Sequence, residues 1–399
     1  MELGPCNAGP YNGTRGPHTV WNPHSWSNNA SLLFLDQPVG TGFSYASWKD
    51  AEKKEKAPSR VYTAREAARD ASAFLQLWGM HAKELFGQPV SSFHIAGESY
   101  AGRWIPMISS QLLKDNRRAE ERGVDPLPLA SVLIGNGITS PKHQFKAYVE
   151  YACANTTGFG VFLPKEKCET MYSQIPACIA LVDKCNTPTA GKPHDEFACK
   201  VALEFCETAL QDPWSKTGMS AYDYTHYGDY EEDDWFAHFL NDNKTKAALG
   251  IDKTGAGDRH DGTFLSCSDK VYQNFAKTGD GAKSSMSAVA ELLENNVRVL
   301  LYAGERDFIC NYLGVNDWTL DLEWSGAEEF RKTALKPWHK STTDDVDNNN
   351  KKEQAGLHRT FGNMTFLTIH ESSHFVPYSQ PEASLKMFNS WVHNNGPPS

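Results

Sequence analysis

Apolar positions recur along this chain with two periods, and their alternation predicts the architecture. Short continuous apolar runs mark strands buried on both faces. They fall at residues 30–36 (Ala-Ser-Leu-Leu-Phe-Leu-Asp), 93–97, 131–135, 297–303 and 364–369. Helical periods lie between them. One covers about 63–86 and opens on a Thr63/Glu66 capping box; Ala67, Ala71, Phe74, Leu75, Trp78 and Leu85 form its expected apolar stripe. Another runs through Trp104, Ile105, Ile108 and Leu112, and a third over 381–393. Strands alternating with helices predict an α/β core with a mainly parallel sheet. The charged stretches 46–60 and 341–353 read as solvated loops. From about 151 to 235 the strand patterns vanish and cysteines crowd in. The expected organisation is therefore a core in two parts, 1–150 and 236–399, with a helical cap inserted at 151–235.

The cysteines sharpen that picture. Six of the nine lie between Cys153 and Cys206. Cys178 and Cys185 are seven residues apart, as are Cys199 and Cys206, which places each pair on one helical face. Two antiparallel helices joined through the Pro188–Pro193 turn favour the nested pairing Cys178–Cys206 with Cys185–Cys199. Cys153–Cys168 then closes the remaining loop. A zinc site is disfavoured because Cys-x-x-Cys spacing is absent. The cysteine content points to an oxidising compartment, and five Asn-x-Ser/Thr sequons, at Asn12, Asn29, Asn155, Asn243 and Asn363, agree with passage through the secretory pathway to a vacuolar, lysosomal or extracellular destination. Met1 runs directly into Glu2-Leu3-Gly4-Pro5-Cys6, with no signal-peptide pattern, so a leader has been removed or the sequence begins inside a longer protein. The net charge is −10 and no basic cluster carries interleaved aromatics, which argues against a nucleic-acid partner. No apolar stretch approaches the roughly 20 residues that span a bilayer.

The chemistry centres on Phe93-His94-Ile95-Ala96-Gly97-Glu98-Ser99-Tyr100-Ala101-Gly102. A strand runs into a small-residue turn carrying a serine, and a helix follows at once. This is the pattern of a nucleophile elbow, which projects Ser99 at the top of a sheet beside the free N–H groups of a helix N-terminus. Such a serine needs a histidine base and a carboxylate to orient it, in the order Ser, Asp or Glu, His. The strand at 297–303 leads into Gly304-Glu305-Arg306-Asp307, and the strand at 364–369 into His370-Glu371-Ser372-Ser373-His374. Order and placement select Asp307 and His374. Glu305 competes as the acid, or forms a surface ion pair with Arg306. His370 comes too early, and His94 reads as a buried hydrogen-bonding residue within its strand. Glu98 has two readings. It is a structural acceptor for nearby N–H groups, or it shares a proton with Glu2 and donates to a substrate carboxylate, which biases activity to acidic pH.

These blocks resemble the serine carboxypeptidases, especially their carboxypeptidase Y-like branch. The resemblance rests on Glu2-Leu3-Gly4-Pro5, Leu33-Phe34-Leu35-Asp36-Gln37-Pro38-Val39-Gly40 with Gly42-Phe43-Ser44-Tyr45, and His94 to Gly102. It continues through Leu133-Ile134-Gly135-Asn136-Gly137, Asp307-Phe308-Ile309-Cys310-Asn311 and His374-Phe375-Val376-Pro377. It implies an α/β-hydrolase fold with a helical insertion and release of single amino acids from peptide C-termini, with no metal or cofactor. It implies Ser99, Asp307 and His374 as the triad, the Tyr100 N–H as an oxyanion donor, and Glu98 backed by Glu2 as the grip on the terminal carboxylate. Cys310 is implied as an unpaired thiol near the pocket for the penultimate side chain. Three departures stand out. The family's Asn-Gly-Gly-Pro-Gly-Cys segment, which supplies a second oxyanion N–H and a cysteine to pair with Cys267, precedes the point where this sequence starts. Cys6 is a weak substitute for that cysteine. Ser372 and Ser373 replace glycines, so their loop must avoid positive φ or strain to adopt it. Phe375 replaces a frequent methionine and reshapes the leaving-residue pocket. An acyltransferase on the same scaffold, or an impaired protein, are the competing expectations.

Overall fold

The computed structural model describes residues 2–10, 16–45, 61–119, 121, 123, 125–155, 157–188, 191, 193–251, 262–340 and 353–393, without the Lys83 side chain. Eight strands are present among them. Short β1 (Cys6–Ala8) and β2 (Thr19–Trp21) pair antiparallel. The remaining six are β3 (Phe93–Ser99), β4 (Leu129–Gly137), β5 (Arg298–Gly304), β6 (Lys336–His339), β7 (Gln354–Phe361) and β8 (Met364–Ile369). They form one sheet in the order β3-β4-β5-β8-β7-β6. The first four are parallel, and β7 and β6 add antiparallel at one edge.

Both faces of β4, β5 and β8 are covered, which explains their continuous apolar runs. Val132, Ile134, Val299, Leu301 and Phe366 pack on one side with Ile105, Val289, Leu292 and Trp318. Leu133, Leu300, Tyr302, Leu367 and Ile369 pack on the other with Trp26, Met387, Phe388 and Trp391. The alternation along each strand follows from the period-two pleat.

Helix α1 (Ala64–Phe86) begins as its sequence predicts: the Glu66 amide donates to Thr63 Oγ1 at 3.3 Å, and the Thr63 amide to Glu66 Oε2 at 3.1 Å. Its buried face is mostly small, with Ala64, Ala67, Ala68, Ala71, Leu75 and Ala82. Phe74 and Leu85, expected in the stripe, are exposed. The buried stripe is therefore narrower than the periodicity suggests, and these two side chains lie off it.

The strand expected at 30–36 is not formed. The segment runs without ladder bonds, and Leu33 and Phe34 are exposed. A cavity of about 830 Å³ separates Ser31–Leu35 from Ser92–Gly97, the open edge of β3. A strand is stabilised by pairing, and an apolar run with no neighbour at ladder distance stays irregular. The charged stretch 46–60 and most of 341–353 lie outside the described residues.

The section after α3 (Pro141–Cys153) is helical. Helices α4 (Lys165–Asn186) and α5 (Glu196–Cys206) are joined by Cys178–Cys206 and Cys185–Cys199, and Cys153–Cys168 ties α3 to α4. This is the nested arrangement that the spacings favour. Its core includes Tyr151, Met171 and Trp214, with Trp214 stacked on Phe308 at 4.1 Å. Phe308 follows Asp307, so the disulfide-linked helical section packs directly beside the candidate site.

Candidate active site

Ser99 ends β3 with φ = 65°, a left-handed value that is rare for a residue with a side chain. Helix α2 (Ala101–Asn116) starts two residues later. The strained turn is held from two sides. The Ile138 amide donates to the Ser99 carbonyl at 3.1 Å. Gly102 packs so closely on Gly137 that a Cβ there would lie 2.6 Å from its carbonyl carbon. Beside Ser99 lies Cys310, whose buried thiol is pushed well above its usual pKa, first by burial and then by the Asp307 charge.

Asp307 and His374 come from the loops that follow β5 and β8, at the carboxyl ends of the parallel strands. Both are buried, at 0% and 2% exposure. His374 Nδ1 and Asp307 Oδ2 are 2.7 Å apart, and Asn136 Nδ2 donates to the same oxygen at 2.7 Å. Asn136 sits at the end of β4 with φ = 39°. Its side chain also accepts from the Gly304 amide at 3.0 Å, so it binds β4, β5 and the carboxylate together. The His374 amide donates to the Tyr222 carbonyl at 2.8 Å, and the Ser373 amide to Ser379 Oγ at 3.0 Å. The Tyr222 ring packs on the imidazole at 4.9 Å. Among the described residues of this loop the positive φ falls on Glu371, at 54°, and neither Ser372 nor Ser373 adopts one. Any Cβ on Gly304 would collide with the Ser373 carbonyl, so the histidine loop rests on bare backbone. A sulfur of Cys310, a carboxylate oxygen of Asp307 and a nitrogen of His374 lie within 4.8 Å of one another. Asp307 Oδ2 and His374 Nδ1 are engaged with each other, and Asp307 Oδ1 is buried without a hydrogen-bond partner among the described residues.

Glu98 points into the same region. Its carboxyl is hydrogen-bonded to that of Glu2, and Tyr302 Oη donates to Glu98 Oε1 at 3.2 Å. Burial, then the neighbouring Glu2 carboxylate, raise the Glu98 pKa well above 4.5. Burial also pushes Glu2 up to about 7. Glu2 Oε2 is buried without a hydrogen-bond partner among the described residues. Two enclosed carboxyls in contact cannot both ionise near neutrality, so the pair keeps a proton.

A sequence model described as serine carboxypeptidase matches residues 1–394. The chain belongs to the serine carboxypeptidase family. It is 35% identical over 403 residues to the vacuolar serine-type carboxypeptidase ATG42 of Saccharomyces cerevisiae, covering 99% of this chain and 70% of that protein. It is 34% identical over 397 residues to carboxypeptidase Y of Candida albicans, covering 98% and 64%. The chain thus spans 64–70% of the length of these two relatives. Among solved structures, Kex1(delta)p, a prohormone-processing carboxypeptidase of Saccharomyces cerevisiae, superposes with a TM-score of 0.76 at 24% identity, over 98% of this chain and 79% of that one. That likeness gives the α/β-hydrolase fold.

In this member of the family the competing candidates are occupied elsewhere. Glu305 Oε1 accepts from His370 Nδ1 at 2.8 Å and Thr368 Oγ1 at 2.9 Å, so its partner is His370 rather than Arg306. Arg306 lies 3.9 Å from Glu371. His94 is bonded to Ser92 and Ser131, and burial lowers its pKa to about 4. The Tyr100 side chain turns away from Ser99 to Asp280, leaving its amide at the start of α2. Phe375 packs on Tyr222 and Tyr230 at 5.4 and 5.3 Å and forms an aromatic wall beside His374. Cys6 and Cys267 are free and exposed. Of the sequon asparagines, Asn29, Asn155 and Asn243 are exposed, Asn363 is partly so, and Asn12 lies outside the described residues. Tyr222 and Ser379 did not emerge from motif reading, and Asn136, present in the Leu133–Gly137 block, received no role there. Asn136 left one signal, a polar residue between two glycines at the carboxyl end of a buried strand.

Proposed function

We propose that the chain is a serine-type carboxypeptidase that releases C-terminal amino acids from peptides and proteins through an acyl-enzyme and is favoured at acidic pH. The observation that carries this reading is the pairing of two devices in one site. A histidine–aspartate relay stands beside a strained serine, and a proton-sharing carboxyl pair stands next to that serine.

Ser99 Oγ attacks the carbonyl carbon of the last peptide bond, with His374 as its base. Because Nδ1–H of His374 is held by Asp307, Nε2 is the nitrogen that takes the proton. The negative charge that develops on the carbonyl oxygen is stabilised by the Tyr100 N–H at the start of α2. His374 then protonates the leaving amine, the C–N bond breaks, and water hydrolyses the acyl-enzyme by the same relay. Glu98 and Glu2, neutral together, donate hydrogen bonds to the substrate carboxylate, which restricts cleavage to the chain end. Cys310 and Phe375 border the side-chain pockets. The helical section at 151–235 caps a core made of 1–150 and 236–399. Three disulfides, five sequons and a vacuolar relative support a secretory-pathway protein in a vacuolar, lysosomal or extracellular compartment. Among the described residues no helix is long and apolar enough to cross a membrane.

The test compares the chain with Ser99→Ala on a blocked dipeptide, with a free or an amidated C-terminus, at about pH 5. Hydrolysis of the free acid alone, lost in the variant, is expected. Equal rates for chain and variant overturn the assignment.

A further inference from the structure

The residue that follows Ser99 is anchored by a buried ionic cluster that the relay does not use. The Tyr100 hydroxyl donates to Asp280 Oδ2 at 2.8 Å. Asp280 is fully buried and lies in a short 3-10 turn, Asp280–Ala282, far from Tyr100 in sequence. Its Oδ2 also accepts from Arg103 Nε at 3.4 Å, while Oδ1 accepts from the Ala64 amide at 3.2 Å and lies 3.8 Å from Lys283 Nζ. Arg103 Nη1 donates in turn to the Ser284 carbonyl at 2.9 Å. Ser285 and Thr139 hydroxyls both donate to the Gly102 carbonyl at 2.9 Å.

Arg103 stands in the first turn of α2, where a cation opposes the helix dipole. A buried aspartate offsets that cost, and it is the shared counter-charge of Arg103 and Lys283. Three of the first four residues after Ser99 are thus tied to one segment, 280–285. That segment is fixed to the cap. Asn186 Nδ2 donates to the Ala282 carbonyl at 2.9 Å, and the Ser284 amide to Asn186 Oδ1 at 2.8 Å. Asn186 ends α4 beside the Cys185–Cys199 disulfide.

We propose that Asp280 is a positioning residue for catalysis: by holding the Tyr100 phenol and Arg103 it fixes the Tyr100 amide against the oxyanion formed at Ser99 and ties that amide to the cap. The proposal rests on the carboxypeptidase reading. Tilting the Tyr100 side chain moves its own amide, and a misaimed N–H loses value in the transition state before it changes ground-state binding.

The experiment uses the full chain with Tyr100→Phe and Asp280→Asn, assayed on a blocked dipeptide ester. Labelling of Ser99 by a fluorophosphonate and inhibition by a peptide aldehyde are measured in parallel. Expected are a kcat lower by about 10-fold for Tyr100→Phe and about 100-fold for Asp280→Asn, with KM within about twofold. Aldehyde affinity should fall by the same factor as kcat, because its hemiacetal oxygen occupies the oxyanion position. Unchanged kcat in Tyr100→Phe, or kcat and KM moving together without loss of aldehyde affinity, overturns the proposal. Tyr100→Phe keeps the ion cluster and decides alone if Asp280→Asn does not fold. If the unsubstituted chain neither turns over ester nor is labelled, the carboxypeptidase reading falls and the proposal with it. An active chain with indifferent variants refutes the proposal only.

Discussion

The Glu2–Glu98 pair makes the sharpest demand on the mechanism, because its protonation couples binding to pH. An ordinary glutamate ionises near 4.5, whereas Glu2 is pushed up to about 7 by burial and Glu98 is raised well above its usual value by burial and by Glu2. Below about pH 7 the pair is neutral and donates to a substrate carboxylate; above it, a first negative charge repels the same group. KM for a blocked dipeptide with a free C-terminus should therefore be flat in acid and rise about tenfold per pH unit above about 7. The sign for stability follows from the same displacement. The folded state holds this proton more tightly than the unfolded chain, so the contribution is present below about pH 4.5 and is lost as pH rises through about 7. Displacement from 4.5 to about 7 is worth about 3 kcal/mol. In Glu2→Gln, which keeps a donor and leaves Glu98 as the one carboxyl of the pair that titrates, the rise in KM should move away from pH 7 and the melting temperature should vary less between about pH 5 and pH 8. Initial rates on the free and the amidated dipeptide, with a thermal melt at each pH, are sufficient. A wild-type KM flat through about pH 8, or a rise that stays at the same pH in Glu2→Gln, refutes the reasoning.

Other outcomes are equally open to measurement. Asp307→Asn should lower kcat by about 10⁴ with little change in melting, whereas Glu305→Gln should leave kcat within about threefold, since its partner is His370; parallel steady-state assays separate the two acids. Gly304→Ala drives a methyl into the Ser373 carbonyl and should displace the histidine loop, seen as a loss of about 10²-fold in kcat at unchanged fluorescence of the buried core. Replacing both Cys185 and Cys199 by alanine opens a 14-residue crosslink and should cost about 3 kcal/mol in denaturant unfolding, with the cap loosening before the sheet.

The periodicities marked five buried strands, and four are in the sheet, because a strand covered on both faces writes its burial into a continuous apolar run. The exception, 30–36, carries the same signal without a ladder partner, which shows that an apolar run reports a capacity to pair and not the pairing itself. Strands β6 and β7 were invisible for the opposite reason. Lys336-Pro337-Trp338-His339, at the open edge, and Gln354–Phe361, between it and β8, mix polar and apolar side chains, as antiparallel strands covered mainly on one face do. In the site, Ser99, Asp307 and His374 were legible because each ends or follows a readable strand. Asn136, Tyr222 and Asp280 were not, because their contributions are set by contacts across the sheet and cap that no local spacing encodes. Asp280 is the clearest case. It lies 180 residues from the tyrosine whose hydroxyl it accepts, and its neighbours Gly279 and Gly281 read as an ordinary turn. Its buried charge becomes intelligible only once Arg103, Lys283 and the start of α2 converge on it, and that convergence makes the geometry behind Ser99 a property of core and cap together.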